Sequence, residues 1–233
     1  MKKSLFNYKY LLAHKASNYP ALFSPVSRML TGKTWFAGQH TDIVIDGFPR
    51  CANTYATFAF DIAQTQRFSI AHHVHKKSQF LNAAKYNKPA ILLIRNPADC
   101  ISSLLVRQPK YTPETLFKGF RFLYKGLINS DSFVVADFEN VLNDYGSIIQ
   151  KVNKKFHCHF NLYIKNEENE KKLKHIILTQ DELIGAEDSK QRVAYPDAER
   201  KNESIKIKEE LTGPKYESLL KECNEIYYRL TGR

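Results

Sequence analysis

Two apolar runs, each followed at once by an arginine-bearing loop and a helical segment, constrain this chain more than any other feature. Ile43, Val44 and Ile45 form a short β-branched run of the kind that a strand buried on both faces requires. Gly47, Phe48 and Pro49 break it, Arg50-Cys51-Ala52-Asn53-Thr54 supplies small and polar residues, and Tyr55 to Ala63 continues at helical spacing. Ala90 to Ile94 repeats the design as an unbroken apolar strand. Arg95-Asn96-Pro97 ends it, with Pro97 at the first helical position and residues 99–106 helical. Joints of this kind lie at the carboxyl ends of parallel strands, where open α/β sheets bind ligands. The unpaired N–H groups of the first helical turn and the positive end of its dipole favour an anion there. The plainer reading of the first joint is an ordinary turn capped by Asn53 or Thr54. Arg50 adds a cationic fork of donors, and Asn53 and Thr54 add side-chain donors.

Together the two joints resemble the sulfotransferase family that uses 3′-phosphoadenosine 5′-phosphosulfate (PAPS). The family's first loop reads P-[KR]-[SG]-G-[TN]-[TS], and here it is Pro49-Arg50-Cys51-Ala52-Asn53-Thr54. Its second motif reads R-[ND]-P-x-[DE]-x-x-x-S, matched by Arg95-Asn96-Pro97-Ala98-Asp99 and Ser103. The resemblance implies that the loop from Arg50 through Cys51, Ala52, Asn53 and Thr54 to Tyr55 wraps the 5′-phosphosulfate. It implies equally that Arg95 and Ser103 grip the 3′-phosphate. Ala52 stands where the family has glycine, and Cys51 where it has a hydroxyl or glycine.

Related sulfotransferases carry a general-base histidine at the end of the strand before the second motif. His73 fits that spacing best and His75 follows closely; alternation along a strand puts these two on one face and His72 on the other. A late Arg-Lys pair closes over the 3′-phosphate in the family. Arg200 and Lys201 match it without the usual glycine, with Arg192 behind them. The stretch ADFENVLND also resembles the strand and F-E-[DN] segment of several sulfotransferases. For Glu139 a helix-terminal acid is weighed against a catalytic role. Three histidines in four residues invite a metal, but no Cys, Asp or Glu cluster partners them, so no metal site is expected.

The rest of the chain bounds these readings. At 233 residues, with 43% hydrophobic and 25% charged residues, the expectation is one α/β domain. It comprises an N-terminal helical segment (1–40), a cofactor-binding core (41–160) and a C-terminal helical segment (161–233). The architecture expected is three-layer α/β/α, with helices on both faces of a mostly parallel sheet of four or five strands and a P-loop-like topology. Helices are expected over 4–15, 20–31, 78–87, 112–129, 141–156, 166–183 and 215–230. Further strands are expected over 67–74 and 131–138, and a loop over 184–196. Gly32-Lys33-Thr34 imitates the end of a Walker motif, but no glycine stands five residues earlier and no strand precedes it.

Residues 1–130 hold 18 Lys/Arg against 5 Asp/Glu, whereas residues 131–233 hold 17 against 19. A basic half that contains both anion motifs suits a multiply anionic cosubstrate. Nucleic acid is not expected, because no dense basic run or RNA-binding aromatic motif is present. No apolar run reaches membrane-spanning length, and Tyr8-Lys9-Tyr10 interrupts any secretory core. Four scattered cysteines suggest free thiols and a cytoplasmic setting. The function expected is sulfuryl transfer from PAPS to a hydroxyl or amine. The rivals are a P-loop ATP-dependent kinase, which needs Lys-[ST] and a metal-binding acid, and a non-catalytic binder of polyanions.

Overall fold

The structure is a computed structural model that describes residues 2–31, 35–183 and 198–233. Gly32-Lys33-Thr34, the 184–196 loop and Arg192 lie outside the described residues. Four strands, β1 (Ile43–Gly47), β2 (Ile70–His72), β3 (Ala90–Ile94) and β4 (Val134–Asp137), form an all-parallel sheet in the order β2-β1-β3-β4. β1 and β3 are buried throughout, as their unbroken apolar runs require. Their register sets Gly47 against Leu93 and Ile45 against Ile91.

Helices cover the sheet on both faces. α1 (Lys2–Ala16) and α2 (Pro20–Thr31) precede it, α3 (Asn53–Ala63) joins β1 to β2, and α4 (Ser78–Lys85) joins β2 to β3. α5 (Pro97–Arg107) and α6 (Pro113–Tyr124) join β3 to β4, and a 3₁₀ turn follows at Lys125–Leu127. After β4 come α7 (Phe138–Asn143), α8 (Tyr145–Phe156), α9 (Glu167–Leu183), α10 (Ala198–Leu211) and α11 (Glu217–Thr231). α9 packs on α3, α10 on α5, and α1 and α11 on α6. This is the expected three-layer α/β/α arrangement, with every strand parallel.

Several boundaries differ from expectation for local reasons. β2 keeps only Ile70–His72, because His73 and His75 both adopt left-handed backbone, φ 54° and 56°, and end the strand. The helix expected over 141–156 breaks at Asp144, whose carboxylate accepts from Ser147 N and caps α8. The helix expected over 112–129 ends at Tyr124 and tightens into the 3₁₀ turn. Its core face holds, with Leu116, Phe120, Leu123 and Leu127 all buried. α9 is charged but not wholly exposed, since Leu173 and Ile177 are buried. His157 caps α8 in a left-handed conformation.

Candidate functional site

The strand order reverses at β1, whose neighbours β2 and β3 are reached by steps in opposite directions. The crevice outside the carboxyl ends of β1 and β3 is therefore the natural ligand position. The Arg50 loop and Arg95 both emerge there.

In the loop, Arg50 and Ala52 take left-handed backbone, φ 70° and 64°, a region alanine and arginine enter at a cost. The turn is held from beneath. Phe48 N donates to the Tyr124 hydroxyl at 2.8 Å, which in turn donates to Leu93 O at 2.6 Å. Tyr124 thus pins the loop of one strand to the backbone of the next. Asn53 is buried and donates to Phe48 O at 2.9 Å, and Cys51 is buried with its sulfur 3.8 Å from the Tyr124 hydroxyl. Their side chains face the core, so the expectation of Asn53 as a side-chain donor to a ligand is corrected. Cys51 N–H is turned to Phe48 O at 3.3 Å, so the amides facing the crevice begin at Ala52. Neither Asn53 nor Thr54 caps α3. Ala52 occupies the cap position without a side-chain hydrogen bond, and the first-turn N–H groups keep no side-chain acceptor. Tyr55 directs its hydroxyl away, to Glu170 Oε1 of α9 at 2.8 Å, leaving its backbone alone at the helix start. Burial first, then that hydrogen bond, pushes the Tyr55 phenol far above its ordinary pKa.

The second joint forms as the sequence implies. Pro97 opens α5, and Asn96 Oδ1 accepts from Ala98 N at 3.0 Å and from Asp99 N at 3.3 Å. Arg95 stacks its guanidinium 3.9 Å over the Phe138 ring and donates to Arg50 O at 3.3 Å. Arg50 reaches across the crevice and donates from Nε to Ser103 Oγ at 2.9 Å. Arg50, Arg95 and Ser103, read from two distant motifs, are brought together.

The histidines are sorted by the turn that ends β2. His72 stacks on Trp35, ring centroids 4.9 Å apart, and shares a 2.6 Å hydrogen bond with the His73 ring. His73 Nε2 lies 3.1 Å from Thr54 Oγ1, which ties the turn to α3. His75 donates from Nδ1 to Gly47 O at 2.7 Å and lies 3.1 Å from Asp46 Oδ1. Strand alternation does not set these positions, because the left-handed turn does; even so, the His73 and His75 rings end 5.6 Å apart. Among the described residues no three His, Cys, Asp or Glu side chains gather around a metal position.

Asp46 is the residue sequence reasoning missed. It is fully buried, and Gly47 N, Val74 N and His75 N all donate to it, at 2.8, 2.9 and 3.0 Å. Burial opposes its charge. The electrostatic attraction and hydrogen bond of the neighbouring His75 ring outweigh that, and the carboxyl is held below its ordinary pKa. An acid at the end of an otherwise apolar strand was the available signal, since a buried charge demands a partner.

The late pair lies on α10. Ser204 meets Ser102 at 2.9 Å and Lys208 pairs with Asp99 at 2.6 Å, so α10 runs antiparallel along α5. Arg200 lies two turns from Lys208, about 12 Å along the axis. It therefore faces the second half of α5, while Lys201 is exposed. The groove between α1 and α6 and the one between α6 and α11 lie apart from the crevice. Glu139 is exposed in the first turn of α7, the place of a helix-terminal acid. No protein-family model, curated protein or solved structure matches the chain.

Proposed function

We propose that the chain is a sulfotransferase that moves a sulfuryl group from PAPS to a hydroxyl or amine acceptor. The observation that carries this reading is the convergence of Arg50, Arg95 and Ser103, from two strand–loop–helix joints, at one end of a parallel sheet. The residues suit a ligand with anionic groups at two ends. The uncapped first turn of α3, with Thr54 and Arg50, suits the 5′-phosphosulfate, and Arg95 with Ser103 suits the 3′-phosphate. PAPS supplies the activated sulfuryl group; the chain's residues position and neutralise it. On binding, Arg50 exchanges Ser103 for a ligand oxygen, which frees the Ser103 hydroxyl for the 3′-phosphate.

His75 suits the base better than His73. The hydrogen bond from its Nδ1 to Gly47 O, with Asp46 beside it, fixes the tautomer and leaves the lone pair on Nε2. His73 has both ring nitrogens engaged, by His72 and Thr54. In the reaction His75 takes the acceptor proton, the new S–O or S–N bond forms, and the bridging S–O bond breaks, leaving 3′-phosphoadenosine 5′-phosphate (PAP). Arg50 and the loop amides balance the charge that develops on the bridging oxygen. A kinase reading has less support. Arg50 stands in the lysine position, and the strand-end Asp137 is taken by the Tyr227 hydroxyl at 2.9 Å and Arg233 at 2.8 Å.

A thermal-shift comparison tests the reading. PAP at a hundredfold excess over Kd should stabilise the protein by roughly 2.7 kcal/mol, with 5′-AMP and ATP far behind. Arg95→Ala should remove the advantage of PAP. Equal shifts from PAP and 5′-AMP, or a PAP shift indifferent to Arg95, would sink the assignment.

A further inference from the structure

The first two helices pack Phe6, Tyr10 and Phe23 inward, yet each leaves a second apolar stripe outside. α1 buries Asn7 and His14 and exposes Leu5, Tyr8 and Leu12; α2 buries Ser24 and exposes Leu22, Val26 and Met29. Each exposed set repeats at three and four residues, so it forms a stripe down one side of its helix. Leu22 is 73% and Met29 79% exposed, and the other four are each more than half exposed. Hydrogen bonds hold this orientation. Asn7 donates to Lys110 O at 3.0 Å and accepts from Thr112 N at 3.1 Å, and Ser24 accepts from Asn82 at 3.2 Å. A helix on a water-soluble surface turns its apolar stripe to the core. A further apolar stripe left outside, on each of two successive helices, marks surface that is covered in use.

Charge decides by what. Residues 1–41 contain six Lys/Arg and no Asp/Glu, and Lys3, Lys9, Lys15 and Arg28 are exposed beside the stripes. The adjoining groove between α1 and α6, about 330 Å³, has an apolar lining of Leu11, Leu12 and Phe122 with Lys15 and Lys118. A second copy docking about a two-fold axis would oppose this basic face to itself. A nucleic acid would answer the cations and leave the apolar stripes wet. An anionic bilayer surface answers both. We propose that α1 and α2 form a peripheral docking face for an anionic lipid surface, lying among the headgroups without spanning the bilayer.

Co-sedimentation of the full chain with vesicles tests this. The chain should pellet about tenfold more with phosphatidylcholine containing about 30% phosphatidylglycerol than with phosphatidylcholine alone. The double variant Leu22→Asp, Met29→Asp should abolish pelleting without lowering the melting temperature, because both positions are exposed. Lys9→Glu with Lys15→Glu should weaken it in the same way. Equal pelleting on both vesicles, or pelleting that survives the Leu22/Met29 variant, overturns the proposal. So does a dimer in light scattering that the same variant converts to monomer, which would assign the face to self-association. Tight binding of duplex DNA that outcompetes the vesicles and ignores that variant would assign it to polyanions.

Discussion

Asp46 stands buried one residue from the end of β1, and its carboxylate gathers the N–H groups of Gly47, Val74 and His75 together with the His75 ring. Those bonds build the His75 turn before any ligand arrives, so in the proposed reaction the imidazole would be oriented in advance. His73 is held differently, between Thr54 and His72, and serves to tie the turn to α3. The two histidines therefore make opposite forecasts. His75→Ala should lower PAP release from PAPS by about 10²–10⁴-fold while PAP still shifts the melting temperature. His73→Ala should stay within a few-fold in rate. The reverse pattern would return the base to His73, and a rate indifferent to both would point to a carboxylate, with the exposed Glu139 the first to test.

The joint between β1 and α3 depends on Gly47 as much as on any charged residue. Gly47 faces Leu93 across the parallel pair, and a Cβ added to it would collide with Leu93 O, a backbone atom that cannot move without parting the strands. Gly47→Ala should therefore cost about 3 kcal/mol or more, read as a fall in the urea midpoint at unchanged m. A midpoint within error of the parent would mean that β1 and β3 are less tightly coupled than the register implies. Elements of this kind were legible in the sequence because unbroken apolar runs and Pro97 at a helix start are local signals. What was not legible is equally specific. The end of β2 depends on left-handed backbone at two histidines, which no side-chain pattern announces. The break at Asp144 is a cap inside a continuous helical periodicity. Arg50 and Arg95 could each be named from their motifs, but their meeting over Ser103 and the pin of Tyr124 beneath them arise only when distant segments pack.

On the scale of the whole molecule, α1 is joined to the site by a buried titratable contact. His14 is fully buried, its Nε2 accepts from the Lys76 ammonium at 3.2 Å, and the Tyr10 ring packs against it with centroids 4.6 Å apart. Burial first, then the positive charge of Lys76, holds the His14 pKa well below the ordinary imidazole value. Protonation thus favours the unfolded chain, where His14 titrates near about 6.5. The stability that neutral His14 permits is fully present above that pH and is lost as the pH falls below it. The slope is about 1.4 kcal/mol per pH unit until the folded-state pKa is reached. The depressed carboxyl of Asp46 does not overlap this window. Its contribution is present above the unfolded carboxyl pKa of about 3.9 and declines only at lower pH. Urea unfolding from pH 7.5 to 5 should therefore show the parent losing stability steeply below about pH 6.5, while His14→Phe, which keeps an aromatic ring against Tyr10, loses much less. Parallel stability curves for the two proteins would show that His14 meets water or another proton acceptor in the folded state. The buried link between α1 and the Lys76 turn would then lose its electrostatic content.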